Sequence, residues 1–183
     1  MEVAKLTAHV RGLTLVELLT TLTVALVLLA VGVPAWGKLT QSNAVISARN
    51  QMRAMLSSAR LAALKHRDYV TVCPSSDLTT CNDDHTSWHQ GYLLFLDKNG
   101  NKLREGSEPL LRVANLAAGG ISIHSSPGRK AIRYADDGSA WGSNVTLRFC
   151  SDATPVSNKA IVLFGTGRVR YSDTLADGSA ITC

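Results

Sequence analysis

Residues 11–34 read RGLTLVELLTTLTVALVLLAVGVP: a basic residue, a glycine, then a run of 21 residues over 13–33 that is uncharged except for Glu17. As a helix, a run of that length matches the apolar thickness of a bilayer, which takes about 20 residues. A carboxylate near the head of such a helix costs roughly 2.5–3.5 kcal/mol on insertion scales, so Glu17 calls for a partner. Scission between Gly12 and Leu13 would create one, because the new α-amino group of Leu13 is positively charged and can face Glu17 of an adjacent copy. Glu17 then reads as an assembly device. An ordinary secretory signal has a shorter apolar core, with a small-residue cleavage site after it.

The stretch resembles the class III signal of type IV pilins and of type II secretion pseudopilins. That resemblance implies that a prepilin peptidase cuts after Gly12 and methylates the amine of Leu13. It also makes Glu17 the assembly glutamate and Pro34 the helix-kinking proline. The family mostly carries phenylalanine where this chain has Leu13, a departure that bears on methylation more than on cleavage.

About 150 of the 183 residues remain beyond the apolar helix, enough for one domain with its own core. Lys5 and Arg11 cancel Glu2 and Glu17, so the whole net charge of +5 falls on residues 35–183. An excess of that sign attracts polyanions such as nucleic acid or surface polysaccharide, and it also serves solubility. Four cysteines in an exported domain point to disulfides, with three pairings open. The favoured pairing joins Cys73 to Cys81 in a short loop and Cys150 to Cys183, which would pin the end of the chain to a strand.

Two metal readings compete for the same regions, and neither is adopted. Cys73, Cys81, His85 and His89 are zinc-ligand types, but CNDDHTSWHQG is rich in turn formers where a ligating pair four apart wants a helix. Asp97, Asn99, Asn101 and Glu108 occupy positions one, three, five and twelve of a calcium-loop pattern. Lys102 stands where that loop needs glycine, and the flanks read as strands, so a hairpin turn around Asn99-Gly100 is the expectation. No metal or cofactor is expected.

Beyond Pro34, apolar residues Val45, Ala48, Met52, Met55, Ala59 and Ala62 recur in steps of three and four, which predicts a helix to about His66 with one face on a sheet. Arg49, Arg53, Arg60 and Arg67 form a basic line about 90° from the centre of that face, read as a solvated flank whose alkyl stems cover the core edge. From residue 68 the period changes to two. Strands are expected over 69–73, 91–96, 109–114, 121–124, 131–134, 145–150, 160–164 and 168–172, separated by turn-forming segments. The fold class is α+β: a long N-terminal helix, half membrane-spanning and half amphipathic, packed on a mostly antiparallel sheet. Its divisions are a leader (1–12), an assembly helix (13–34), the amphipathic continuation (35–67) and a β-rich globular domain (68–183).

The segment ARNQMRAMLSSARLAALKHRDYVTVCPSSDLTTC, followed by WHQGYLLFLDKNGN, resembles the GspH/FimT family of minor pilins and pseudopilins. The resemblance implies a non-enzymatic subunit at or near the tip of a thin filament. Its partners would be other major and minor pilins or pseudopilins, the prepilin peptidase and an inner-membrane assembly platform. It would be a single-pass inner-membrane protein with a periplasmic domain before assembly, and part of a pilus or pseudopilus afterwards.

Near the C-terminal end, FGTGRVRYS (164–172) places Arg168, Arg170 and Ser172 on one face of a strand, with Val169 and Tyr171 on the other. Two guanidiniums about 6.7 Å apart at the Cα level, from a rise of ~3.3–3.4 Å per residue, suit two phosphates of one strand. The Gly167-Arg168-Val169-Arg170 pattern resembles the motif linked to DNA capture in the FimT branch, which implies double-stranded DNA as cargo in natural transformation. Arg129, Lys130 and Arg133 are the second basic cluster. The alternatives are a GspH-like pseudopilin of the type II secretion system and a purely structural minor pilin. Catalysis is not expected, since no nucleophile elbow or phosphate loop is present.

Overall fold

The computed structural model describes residues 12, 14–115, 120–151, 158–175 and 178–183. Leader residues 1–11 and Leu13, the proposed mature N-terminus, lie outside the described residues, as does most of the 151–159 segment expected to form a surface connection. One helix, α1, runs Leu15–His66, with Pro34 inside it. Its start is capped: the Thr14 hydroxyl accepts the backbone N–H of Glu17 at 3.2 Å. A Thr with Glu three residues on is the spacing of a capping box, so Glu17 also suits the positive end of the helix dipole. Thr20, Thr21 and Thr23 donate their hydroxyls to the carbonyls of Glu17, Leu18 and Thr20. That satisfies them within the helix, as an apolar surrounding requires. By length and composition the helix is able to cross a membrane.

The chain divides into two compact units, 1–37 and 38–183. All described buried residues lie in the second, from Val45 onward. There α1 buries Val45, Ala48, Met52, Met55, Leu56, Ala59 and Ala63. The expected stripe is thus corrected at its end. Ala62 is only partly buried, while Leu56 and Ala63 complete a face that drifts slowly round the helix, because 3.6 residues per turn does not repeat over steps of three and four. Arg67, in left-handed conformation (φ 53°), follows the last helical residue.

Eight strands follow: β1 Val70–Pro74, β2 Tyr92–Leu96, β3 Leu110–Ala114, β4 Ile121–Ser125, β5 Ile132–Tyr134, β6 Val145–Ser151, β7 Lys159–Leu163 and β8 Val169–Ser172. All are antiparallel to their neighbours, but they form two four-stranded sheets where the sequence predicted one, in the orders β3-β2-β1-β5 and β4-β6-β7-β8. One core joins α1 to the facing sides of both, through Val70 and Val72, Leu94, Ile123, Ile132, Leu147, Phe149, Ile161 and Leu163.

β1 and β2 depart from simple alternation, since every residue in them is buried. The cause is a second layer: Cys73, Leu93 and Phe95, on the far side of the first sheet, pack under Leu78 and Cys81. The Cys73–Cys81 disulfide, with Cα atoms 5.5 Å apart, fastens that loop down. Trp88, fully buried, donates its indole N–H to the Ser125 hydroxyl at 3.1 Å and so ties the loop to β4 of the second sheet. Cys150 and Cys183 are also paired, with Cα atoms 6.4 Å apart. Arg148 Nη1 donates to the Thr182 carbonyl (3.0 Å) and Asn158 to that of Ile181 (2.8 Å), fixing the same segment to the second sheet.

Candidate functional site

β7 and β8 form a hairpin at the edge of the second sheet, and its turn depends on one glycine. Gly167 is buried at φ +77°, and a β-carbon there would collide with the carbonyl oxygen of Gly138. Backbone bonds from Gly167 N–H to the Phe164 carbonyl (2.8 Å) and from Phe164 N–H to the Arg168 carbonyl (3.0 Å) close the turn. Alternation then acts as the sequence predicted. Arg168 and Arg170 are exposed, while Val169 and Tyr171 are half-buried against the core. Neither guanidinium has an ion pair or hydrogen bond to a described residue; that of Arg170 lies 5.9 Å from the centre of the Phe164 ring.

The helix braces this edge from behind. Tyr171 donates its hydroxyl to Asn50 at 2.8 Å, and the guanidiniums of Arg49 and Arg53 lie over its ring at 4.4 and 4.6 Å. Arg49 also pairs with Asp173 at 3.3 Å, and Lys159 reaches the same carboxylate at 3.1 Å. Those two cations, with the Lys159 hydrogen bond first, hold the Asp173 carboxyl below its ordinary range. Arg60 donates to the Gly167 carbonyl at 3.4 Å. The helix arginines expected to form a solvated flank are therefore partly committed to holding β8. Arg53, Arg60 and Arg168 share the rim of a groove of about 460 Å³ beside Leu61 and Leu64. That convergence of two basic segments, 115 residues apart from Arg53 to Arg168, escapes sequence reasoning.

A second groove, of about 620 Å³, lies on the outer side of the second sheet. Its walls include Trp141, Phe164, Val162, Thr146 and Arg129. Trp141 is 71% exposed and lies against Gly165, where a β-carbon would run into its ring. These aromatics were not singled out from sequence; an exposed Trp in a Gly-Ser loop was the available signal.

Of the second basic cluster, Arg129 and Lys130 border one groove with Lys102, and Arg133 does not line it. Arg129 donates to the carbonyl of Gly142 (2.8 Å) and to Asn144 Oδ1 (3.2 Å). Lys130 pairs with Asp83 at 2.8 Å. Arg133 bonds the Gly100 carbonyl and lies 4.6 Å over the Tyr69 ring. Each cation is spent on a different loop. Gly12 and Glu17 are both exposed, at the head of α1.

A family model described as Type II transport protein GspH matches residues 48–167, about two-thirds of the chain. Two crystal structures of the Pseudomonas aeruginosa (strain PAO1) type IV minor pilin FimU are similar in fold. The first superposes with a TM-score of 0.58 at 17% identity, covering 73% of this chain and 92% of that one. The second gives 0.52 at 17% identity, with 69% and 90% covered. Among curated proteins, none matches.

Proposed function

The chain belongs to the GspH family, and from that membership we propose that it is a minor pilin of a type IV pilus whose exposed domain binds DNA. In this reading a prepilin peptidase cuts after Gly12 and methylates Leu13. The Leu13 amine then pairs with Glu17 of the neighbouring subunit, and Pro34 bends the helix within the filament. Other pilins and an inner-membrane platform are the assembly partners. The fold shared with FimU supports the filament role. A single observation favours DNA: Arg168, beside Arg53 and Arg60 at the rim of one groove, and Arg170, on the edge strand β8, are both exposed with no described counter-ion. Contacts of that kind hold phosphates without reading sequence.

Two phosphate contacts give a salt slope of about −1.8, or about tenfold weaker binding for a fourfold rise in salt. Titrating a fluorescent DNA duplex with the full chain in detergent, at about 50 and 200 mM salt, checks this. Arg168→Ala/Arg170→Ala should weaken binding and flatten the slope; no binding at the lower salt would remove DNA from the proposal. A second reading, as a pseudopilin of the type II secretion system, is favoured by the description of the matching family. It predicts the same assembly, with neighbouring pseudopilins and an exported protein as contacts and no DNA binding.

A further inference from the structure

We propose that residues 97–108, DKNGNKLREGSE, form a calcium site, which goes beyond the reading as a filament subunit. The glycine missing from position six was the reason to prefer a plain hairpin turn. The structure removes that reason, because Lys102 itself adopts the left-handed conformation (φ 65°) that glycine normally supplies. Nor are flanking helices needed to hold the ends. Leu96 N–H bonds the Pro109 carbonyl at 3.0 Å and Asp97 N–H the Tyr69 carbonyl at 2.9 Å, so the sheet fixes both ends of the loop.

The observation that points to an ion is Asp97. Its exposure is 0%, and its Oδ2 accepts from the Thr71 hydroxyl (2.6 Å) and from the Lys102 N–H (3.1 Å) across the loop. Its Oδ1 is equally buried and has no hydrogen-bond partner among the described residues. A buried carboxylate oxygen without a donor is costly, and a bound cation is one of the standard remedies.

The other side-chain acceptors of the loop are each held by a backbone N–H. Glu108 is 6% exposed, and its Oε1 and Oε2 accept from the N–H groups of Lys98 (3.1 Å) and Glu105 (3.0 Å). Asn99 Oδ1 accepts from Asn101 N–H at 3.0 Å, and Asn101 Oδ1 from Leu103 N–H at 2.8 Å. Each of these oxygens keeps a further lone pair. With Asp97 Oδ1 and the Leu103 carbonyl they would offer a bound ion six oxygens, from loop positions one, three, five, seven and twelve. Glu105, at position nine, accepts from the Asn101 amide at 2.9 Å.

Oxygen-only donors in a loop suit calcium over magnesium, which demands a tighter octahedron. Two carboxylates, opposed by Lys98, Lys102, Arg104 and Arg133 close by, make a weak site. Its dissociation constant should fall at about 10⁻⁴–10⁻³ M, the range of extracellular modules.

The test uses the full chain in detergent, freed of metal by a chelator and titrated with calcium chloride while its melting temperature is followed. A saturable rise is expected, half-complete at about 10⁻⁴–10⁻³ M, with a much smaller response to magnesium chloride. Terbium should bind in calcium's place and luminesce through Tyr69, whose ring packs beside Gly100. Asp97→Asn, which keeps an acceptor for Thr71 and Lys102, and Glu108→Gln should each abolish both signals. Lys102→Gly should strengthen them severalfold by removing a cation while keeping the bend. No rise with calcium, an equal rise with magnesium, or a full response in both variants would overturn the site. Should Asp97→Asn fail to fold, Glu108→Gln and the exposed Asn99→Ala decide the matter alone.

Discussion

Glu17 sits in the first turn of α1, where the Thr14 hydroxyl caps its N–H and the helix dipole favours its charge. Local chemistry therefore explains part of its presence, and the proposed intersubunit pair would explain the rest. Glu17→Ala should leave membrane insertion intact and abolish incorporation, read by the amount of protein in sheared filaments; normal incorporation would exclude the intersubunit pair. His124, on the half-buried outer side of β4, makes a separate residue-scale prediction. Burial first, then the positive fields of His89, Arg148 and His85, lower its pKa from the ordinary 6.5, against a small opposing pull from Asp84. The unfolded chain consequently binds more protons between the lowered value and 6.5, so stability falls as pH drops through that window and then levels off. His124→Gln should flatten that slope in urea titrations of residues 38–183.

At the scale of elements, Gly167 decides whether β8 can lie where it does. Gly167→Ala meets both a left-handed backbone and the Gly138 carbonyl, and should cost roughly 2–4 kcal/mol in urea unfolding. A loss below 0.5 kcal/mol would mean that the turn relaxes freely. The eight strands were legible because their signals are local: the alternation of VTLRFC and the continuous apolar run YLLFL each declare themselves within six residues. Their division into two sheets was not, since β5 joins β1 and β4 joins β6 by pairings that no short window contains. The candidate site splits the same way. GRVR fixes the direction of Arg168 and Arg170 from period two alone, whereas Phe164 under Arg170, Trp141 over Gly165 and Arg53 beside Arg168 are juxtapositions made by packing. Lys102 shows the converse failure, because a rule about residue type excluded a conformation that the backbone nevertheless adopts.

Across the whole molecule, the two disulfides hold loops of different size. In the chain-entropy account, sequence separations of 8 and 33 correspond to about 2.5 and about 3.7 kcal/mol. Replacing Cys150 and Cys183 by serine should accordingly lower the stability of residues 38–183 by roughly 3–4 kcal/mol, and by more than the same change at Cys73 and Cys81. Equal losses would show that native packing outweighs loop entropy. The longer bridge has a mechanical consequence as well. β7, β8, Arg168 and Arg170 all lie between Cys150 and Cys183, inside one covalent ring. A load hung on Arg168 and Arg170 can peel the edge strand β8 from β7, but it can draw out no more chain than the ring contains, on the order of 33 residues at ~3.3–3.6 Å each. Past that length, tension passes through the sulfur–sulfur bond into β6 at the middle of its sheet, so the arginine-bearing edge is tethered like a short leash.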